Sequence, residues 1–157
     1  MQAARRDTRA EILALAETLF HERGYNGFSY QDIAGQLGVK SAAIHYHYPS
    51  KADLGVALIQ RMRDLIRRAR DNFDRQGLDP RTGLENYFAY YLQHLCHKCH
   101  SICTIGIMAA ELNTVPEVMR NESQALVRDI HTLVTHMLTQ GRERGLMSFR
   151  GAPEDRA

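Results

Sequence analysis

The sequence predicts an all-α protein, and three observations carry that expectation. Apolar residues recur three and four apart, as in Ile12, Leu15, Ala16, Leu19 and Phe20, which is the period of an amphipathic helix. Breaks at Gly24, at Gly77-Leu78-Asp79-Pro80 and at Thr114-Val115-Pro116 cut the periodic stretches into helix-sized pieces. Between the first two breaks lies SYQDIAGQLGVKSAAIHYHYPSK, residues 29–51, which reads as two short helices joined by a tight turn.

In chain order, residues 1–6, MQAARR, come first. Arg5 and Arg6 suit an arm that contacts phosphate or a minor groove, and equally suit a solvated terminus. Asp7 or Thr8 starts the first helix and Gly24 ends it, since glycine takes the left-handed backbone at little cost. Tyr25 and Phe28 flank Gly27 in a short connection and are expected to lock the first helix onto the pair that follows.

That pair spans roughly Tyr30 to Leu37 and Ser41 to His47, with Gly38 stopping the first member and Val39 plugging the crevice. Ser29 with Asp32 approximates a capping box, and Ser50 with Asp53 makes a second one at the start of the next helix. Ile33, Ala34, Leu37, Val39 and Ile44 are spaced to pack the pair on the first helix. Helix, glycine turn, helix is the pattern of a helix-turn-helix reader of DNA, although it also fits a plain helical hairpin. The outward positions of the second helix carry small residues, which allow close approach to base edges. They also carry Lys, His, Ser and Tyr, which reach phosphates or bases. The expected DNA-binding set is Ser29, Tyr30, Gln31, Lys40, Ser41, Ala42, Ala43, His45, Tyr46, His47 and Lys51.

With LFHERGYNGFSYQDIA before it and IHYHYPSKADLGVALI after it, this stretch resembles the DNA-binding domain of TetR-family transcriptional regulators over roughly the first 60 residues. Lys40 departs from the pattern, because the family often has a small capping residue there; a lysine cannot accept a backbone N–H, so a phosphate contact is expected of it instead. The resemblance implies a helix-turn-helix DNA-binding domain at residues 1–50 and a helical effector-binding and dimerisation domain at residues 51–157. It also implies a homodimer on a palindromic double-stranded operator, since such heads work in pairs on two half-sites.

The fourth helix is expected from about Lys51 to Arg75, with Leu54, Ala57, Leu58, Met62, Leu65, Ile66, Ala69 and Phe73 as its apolar stripe. Arg61, Arg63, Arg67, Arg68 and Arg70 invite a nucleic-acid reading; a solvated face paired with Asp64, Asp71 and Asp74 is the better one. In the family this helix links the head to the regulatory body. Asp79 and Pro80 start a fifth helix, which reaches about Cys96 and carries Tyr87, Tyr90, Tyr91 and His94 at helical spacing. Such a stripe is either core or the aromatic wall of a cavity with polar tips. The resemblance favours a cavity for a small-molecule effector between the fifth and seventh helices, with Tyr87, Tyr91, His94, Cys103 and Met108 as its residues.

Cys96-His97-Lys98-Cys99-His100-Ser101-Ile102-Cys103 admits three readings. It is a zinc-type ligand set, a thiol sensor activated by neighbouring positive charge, or a group of small buried hydrophobes. No second CxxC pair accompanies the first, so no metal and no cofactor is expected. A sixth helix is expected over residues 102–113, with Glu111 on the surface or in an inter-helix pair. A seventh, from about Pro116 to Gly141 or Arg144, carries apolar residues spread widely enough to pack on two sides. Ala152-Pro153-Glu154-Asp155 then reads as a helix start. The body is therefore expected to lack the usual last two helices, which in the family form much of the dimer interface.

At 44% hydrophobic residues, the 157-residue chain buries a real core. It has no apolar run of about 18 residues and no signal-peptide core at its start, so a cytoplasmic protein with no membrane partner is expected. A net charge of +2 is compatible with DNA binding only if the basic groups are placed locally. No phosphate loop, nucleophile elbow or HExxH is present, so an enzyme is not expected. The expected function is a ligand-responsive regulator, most commonly a repressor, released from its operator by an effector. The alternatives are a thiol- or metal-sensing regulator switched at Cys96, Cys99 and Cys103, or a truncated partner that does not bind DNA.

Overall fold

A computed structural model describes residues 7–97 and 104–157, with side chains described for residues 7–90 and 104–157. Among the described residues there are seven α-helices and no strand: α1 Thr8–Arg23, α2 Tyr30–Leu37, α3 Ser41–His47, α4 Lys51–Gln76, α5 Pro80–His97, α6 Thr104–Ala110 and α7 Glu117–Glu143. A single 3-10 turn, Pro153–Asp155, is all that forms of the helix start expected at residue 152. No helix of the described residues is long and apolar enough to cross a membrane.

The chain divides into two compact units, one of residues 1–59 with 102–122 and the other of residues 60–101 with 123–157. In the first, α1 packs on α2, α3 and α6. Asp7 starts α1 by accepting the Ala10 N–H at 3.1 Å, and Gly24 ends it with φ 74°. The buried face of α1 is Ile12, Ala16, Leu19 and Phe20, joined by Ile33 and Ala34 of α2 and Ile44 of α3. Tyr25 and Phe28 are buried in the connection between α1 and α2. Gly55 on α4 has no room for a Cβ, because the Met119 side chain and the Tyr25 ring occupy that space.

Helix α6 ends at Ala110, short of the expected 113. After Ala110 the chain turns, and the Thr114 and Val115 N–H groups both close onto the Glu111 carbonyl. In the second unit the buried residues include Ile66 and Phe73 of α4 and Leu126, Leu133, Val134 and Met137 of α7. Of the apolar residues expected on α7, Val118 and Val127 are 54% and 50% exposed in the single chain. The buried residues Met119, Leu126, Leu133 and Met137 form one stripe at near-heptad spacing, which a single contact face satisfies.

Of the three carboxylates expected to pair with the arginine ridge of α4, Asp64 does so, and a further partner, Asp129, comes from α7. Arg67 meets Asp64 at 3.0 Å and Asp129 at 3.8 Å, and Arg63 Nε donates to Asp129 at 2.7 Å. Asp74 pairs with His136 at 2.6 Å.

Candidate nucleic-acid interface

Two local devices fix the reading pair. The Ser29 hydroxyl accepts the Asp32 N–H, and the Asp32 carboxylate accepts the Ser29 N–H at 2.7 Å, a complete capping box. The Ser29 hydroxyl also donates to this carboxylate at 2.6 Å, and that bond, followed by the one from the Ser29 N–H, holds the Asp32 carboxyl below its usual range. Gly38, at φ 66° and ψ 32°, then turns the chain in the left-handed region, where a Cβ is penalised.

Helix α3 begins at Lys40, whose side chain makes no capping bond and is exposed. One side of α3 is anchored. Ile44 is fully buried and Tyr48 is 3% exposed. The Tyr48 hydroxyl donates to the Arg9 carbonyl at 3.4 Å, and the Arg9 guanidinium lies over the Tyr48 ring at 5.4 Å. The Tyr48 carbonyl in turn accepts from the Tyr30 hydroxyl at 2.8 Å. Tyr48 was outside the expected set, although its spacing of four from Ile44 is an apolar-face signal.

The opposite side is open. Ala42 and His45 are exposed and Tyr46 is 84% exposed, while Ser41, Ala43 and His47 are half-buried. The His47 and Tyr46 rings stand edge to face at 5.1 Å. Gln31 and Ser29 are exposed on the preceding helix and its cap. Two residues of the expected set have other occupations. Tyr30 is half-buried and bonded to Tyr48; burial, and then the nearby Asp53 carboxylate, push its hydroxyl up to about 12. Lys51 donates to the Phe28 carbonyl and lies 4.6 Å above the Tyr25 ring and 4.7 Å above the Phe28 ring. Burial lowers its ammonium pKa, against the opposing pull of Glu111 and Asp32.

Glu111, expected on the surface or in an inter-helix pair, instead binds backbone. Its carboxylate accepts the Tyr25 N–H at 2.7 Å, the Asn26 N–H at 3.2 Å and the Asn26 side-chain amide at 3.2 Å. The same Asn26 amide donates to the Thr114 hydroxyl at 2.8 Å. The turn after α6 thus grips the connection that leads into α2. Nothing local in the sequence signals this, because the partners lie 85 and 86 positions apart.

The second unit holds a cavity of about 410 Å³ bounded by α4, α5 and α7. Leu65, Ile66, Ala69, Phe73, Leu78 and Met137 line it, together with Arg68, Asn72, Asn86, Tyr87 and Tyr90. Of the expected effector residues, Tyr87 lines this cavity, while Met108 is buried in the first unit. The side chains of Tyr91, His94 and Cys96 lie outside the described residues, as do Cys99 and Cys103 altogether. Among the described residues no group of His, Cys, Asp and Glu is placed to hold a metal ion.

Comparison with known proteins bears on the whole chain. Residues 12–58 match the family model described as bacterial regulatory proteins, tetR family. The HTH-type transcriptional repressor DhaR of Mycobacterium sp. (strain GP1) is 27% identical over 152 residues, covering 96% of this chain and 75% of that protein. A TetR-family transcriptional regulator from Agrobacterium tumefaciens superposes with a TM-score of 0.86 at 30% identity, covering 94% of this chain and 78% of that one. Escherichia coli NemR, solved in its reduced form, superposes with a TM-score of 0.84 at 25% identity, covering 96% and 79% of the two chains.

Proposed function

Because the chain belongs to the tetR family of bacterial regulatory proteins, we propose that it is a ligand-responsive transcriptional repressor that binds a palindromic operator as a dimer. The observation that carries this reading is the two-sided build of α3. Ile44 and Tyr48 fasten one side to α1, and Lys40, Ala42, His45 and Tyr46 stand exposed on the other. A helix fixed by its back and small at its start is suited to a major groove. In this reading Lys40 and Tyr46 bind phosphates, and Gln31, Ser41, Ala42, Ala43, His45 and His47 face bases or the sugar-phosphate edge. Ser29, Tyr30 and Lys51 act one step back, as residues that hold the reading pair in shape.

The effector site in this reading is the cavity of the second unit. Its apolar wall with Arg68, Asn72 and Asn86 at the edge suits a flat apolar molecule with an anionic or hydrogen-bonding end. Helix α4 carries the coupling: its first nine residues belong to the unit with the reading pair, and residues 65–73 line the cavity. An effector that binds one position of α4 better than another shifts the population of heads able to dock. The test is selection of duplexes from a random pool, followed by sedimentation of the chain with the selected duplex at low salt. Two chains on a two-fold symmetric duplex is the expected result; a pool with no enriched sequence contradicts the reading.

A second reading keeps the DNA head and makes the switch a thiol. The relative NemR was solved in its reduced form, and this chain carries Cys96, Cys99 and Cys103 within eight residues beside Lys98, a setting that favours thiolate. Loss of duplex binding on mild oxidation, restored by a dithiol and abolished in a variant with all three cysteines changed to serine, supports this switch. Unchanged binding after complete oxidation removes it.

A further inference from the structure

The exposed side of α3 contains one residue whose hydrogen-bonding sense is already decided before any DNA arrives. His45 Nδ1 lies 3.2 Å from the Pro49 carbonyl oxygen. A carbonyl only accepts, so Nδ1 must carry the hydrogen. In the neutral ring that leaves Nε2 as a bare lone pair, and Nε2 has no hydrogen bond among the described residues. The ring is also fixed in orientation, because the Tyr30 ring packs on it edge to face at 4.7 Å, and Tyr30 is itself tied to the Tyr48 carbonyl.

We propose that His45 is a specificity-determining base reader that acts as a hydrogen-bond acceptor when neutral and as a donor when protonated, because its contact with Pro49 fixes the tautomer. The inference rests on the reading that α3 enters the major groove. There the two states of Nε2 recognise different bases. The lone pair accepts from the exocyclic amino group of adenine or cytosine. The protonated Nε2–H, with its hydrogen taken from solvent, donates to O6 or N7 of guanine. The Nδ1–H donates to Pro49 in both states, so protonation changes the readout without releasing the ring.

From α2 the facing group is Tyr30, whose hydroxyl is pushed up to about 12 and is uncharged at any pH where a histidine titrates. Asp53 acts on Tyr30 and is engaged by Ser50. From the segment after α3 the facing group is the Pro49 carbonyl, and on α3 itself the neighbours are Tyr46 and His47. No carboxylate pairs with the ring among the described residues. Charge added beside a phosphate strengthens binding to every sequence alike. A change of preferred base at one position that disappears when His45 is replaced is therefore the distinguishing mark of His45.

The experiment is duplex selection from a random pool with the full chain at about pH 8 and about pH 5.5, on either side of the ordinary histidine range. It is repeated with His45→Gln, which does not titrate. The wild type is expected to select adenine or cytosine at one position of each half-site at the higher pH and guanine at the lower. Competition between the two duplexes should show a preference of about fivefold in each direction, the size of one hydrogen bond. The variant should keep one preference at both pH values. Nitrogen-15 correlation spectra of the free chain at the higher pH give a check independent of DNA and should show hydrogen on Nδ1. Enriched duplexes with the same base at both pH values, or hydrogen on Nε2 in the neutral ring, overturn the role of His45 and leave the DNA-binding reading standing. A pool that never enriches overturns both.

Discussion

The Glu111 carboxylate accepts the backbone N–H of Tyr25 at 2.7 Å, across 86 residues of sequence. It sits so close to the end of α1 that a Cβ on Gly24 would stand 2.8 Å from its Oε1. The α1–α2 connection therefore takes its shape partly from the turn after α6, which supplies the acceptor that two otherwise free amide groups need. Glu111→Ala should lower stability by about 1.5–3 kcal/mol, the range for bonds to a charged group. It should also speed amide exchange at Tyr25 and Asn26 more than at the core of α1. Unchanged exchange at those two amides would show that the clamp does not operate in solution.

Lys51 serves the fold before it serves DNA. Its ammonium is shared between the Phe28 carbonyl and the faces of two buried aromatic rings. Lys51→Met should cost about 1–2 kcal/mol of stability through the lost bond and cation–π contacts, read by thermal denaturation. The salt dependence of duplex binding should keep its slope. The opposite pattern, with stability unchanged and a slope smaller by about 1.8, about 0.9 for each protomer of the dimer, would make Lys51 a phosphate contact.

The capping box gives a pH dependence with a definite sign. Bonds from Ser29 hold the Asp32 carboxyl below the usual carboxylate range, and the Arg23 guanidinium at 3.8 Å adds to this. A depressed carboxyl contributes stability that is fully present above its unfolded value and is lost as pH falls through its folded value. In Ser29→Ala the Asp32 titration should move back up toward the ordinary range. The stability gap between wild type and variant should be widest near neutrality and narrow on acidification. A carbon-13 titration of the Asp32 carboxyl with denaturation at several pH values checks both; an unmoved titration contradicts the account.

The parts of this molecule that were legible in the sequence are those whose causes are local. Gly38, the Ser29–Asp32 and Ser50–Asp53 boxes and Pro80 each act within a turn of themselves, and α2, α3 and the starts of α4 and α5 fall where these residues put them. The all-helical fold follows from the apolar period in the same way. What was not legible depended on distant partners. Glu111 finds amides 85 and 86 positions away, Lys51 finds a carbonyl 23 positions back, and Arg63 finds Asp129 on α7. Composition also marks His45 only as polar; its fixed tautomer needs the Pro49 carbonyl in place.

The cavity gives a prediction that needs no knowledge of the natural effector. 8-Anilinonaphthalene sulfonate is flat, apolar and anionic, and Arg68 stands at the cavity edge. The dye should bind saturably. Ala69→Trp should fill the space and weaken dye binding about tenfold or more, the factor that about 1.4 kcal/mol represents. Duplex binding without dye should be unchanged in this variant. Equal dye affinity in wild type and variant would remove the cavity from the account.

The central claim, that the open side of α3 is the DNA surface, is tested most directly by duplex affinity across a salt series for wild type and for Lys40→Ala with Tyr46→Ala. Both side chains are exposed, so the double variant should keep its stability within about 0.5 kcal/mol per site. It should bind every duplex more weakly, with a salt slope smaller by about 1.8, about 0.9 for each of the two phosphate-neutralising charges the dimer loses. A correctly folded double variant with undiminished affinity and the wild-type slope would place the DNA surface elsewhere on the molecule.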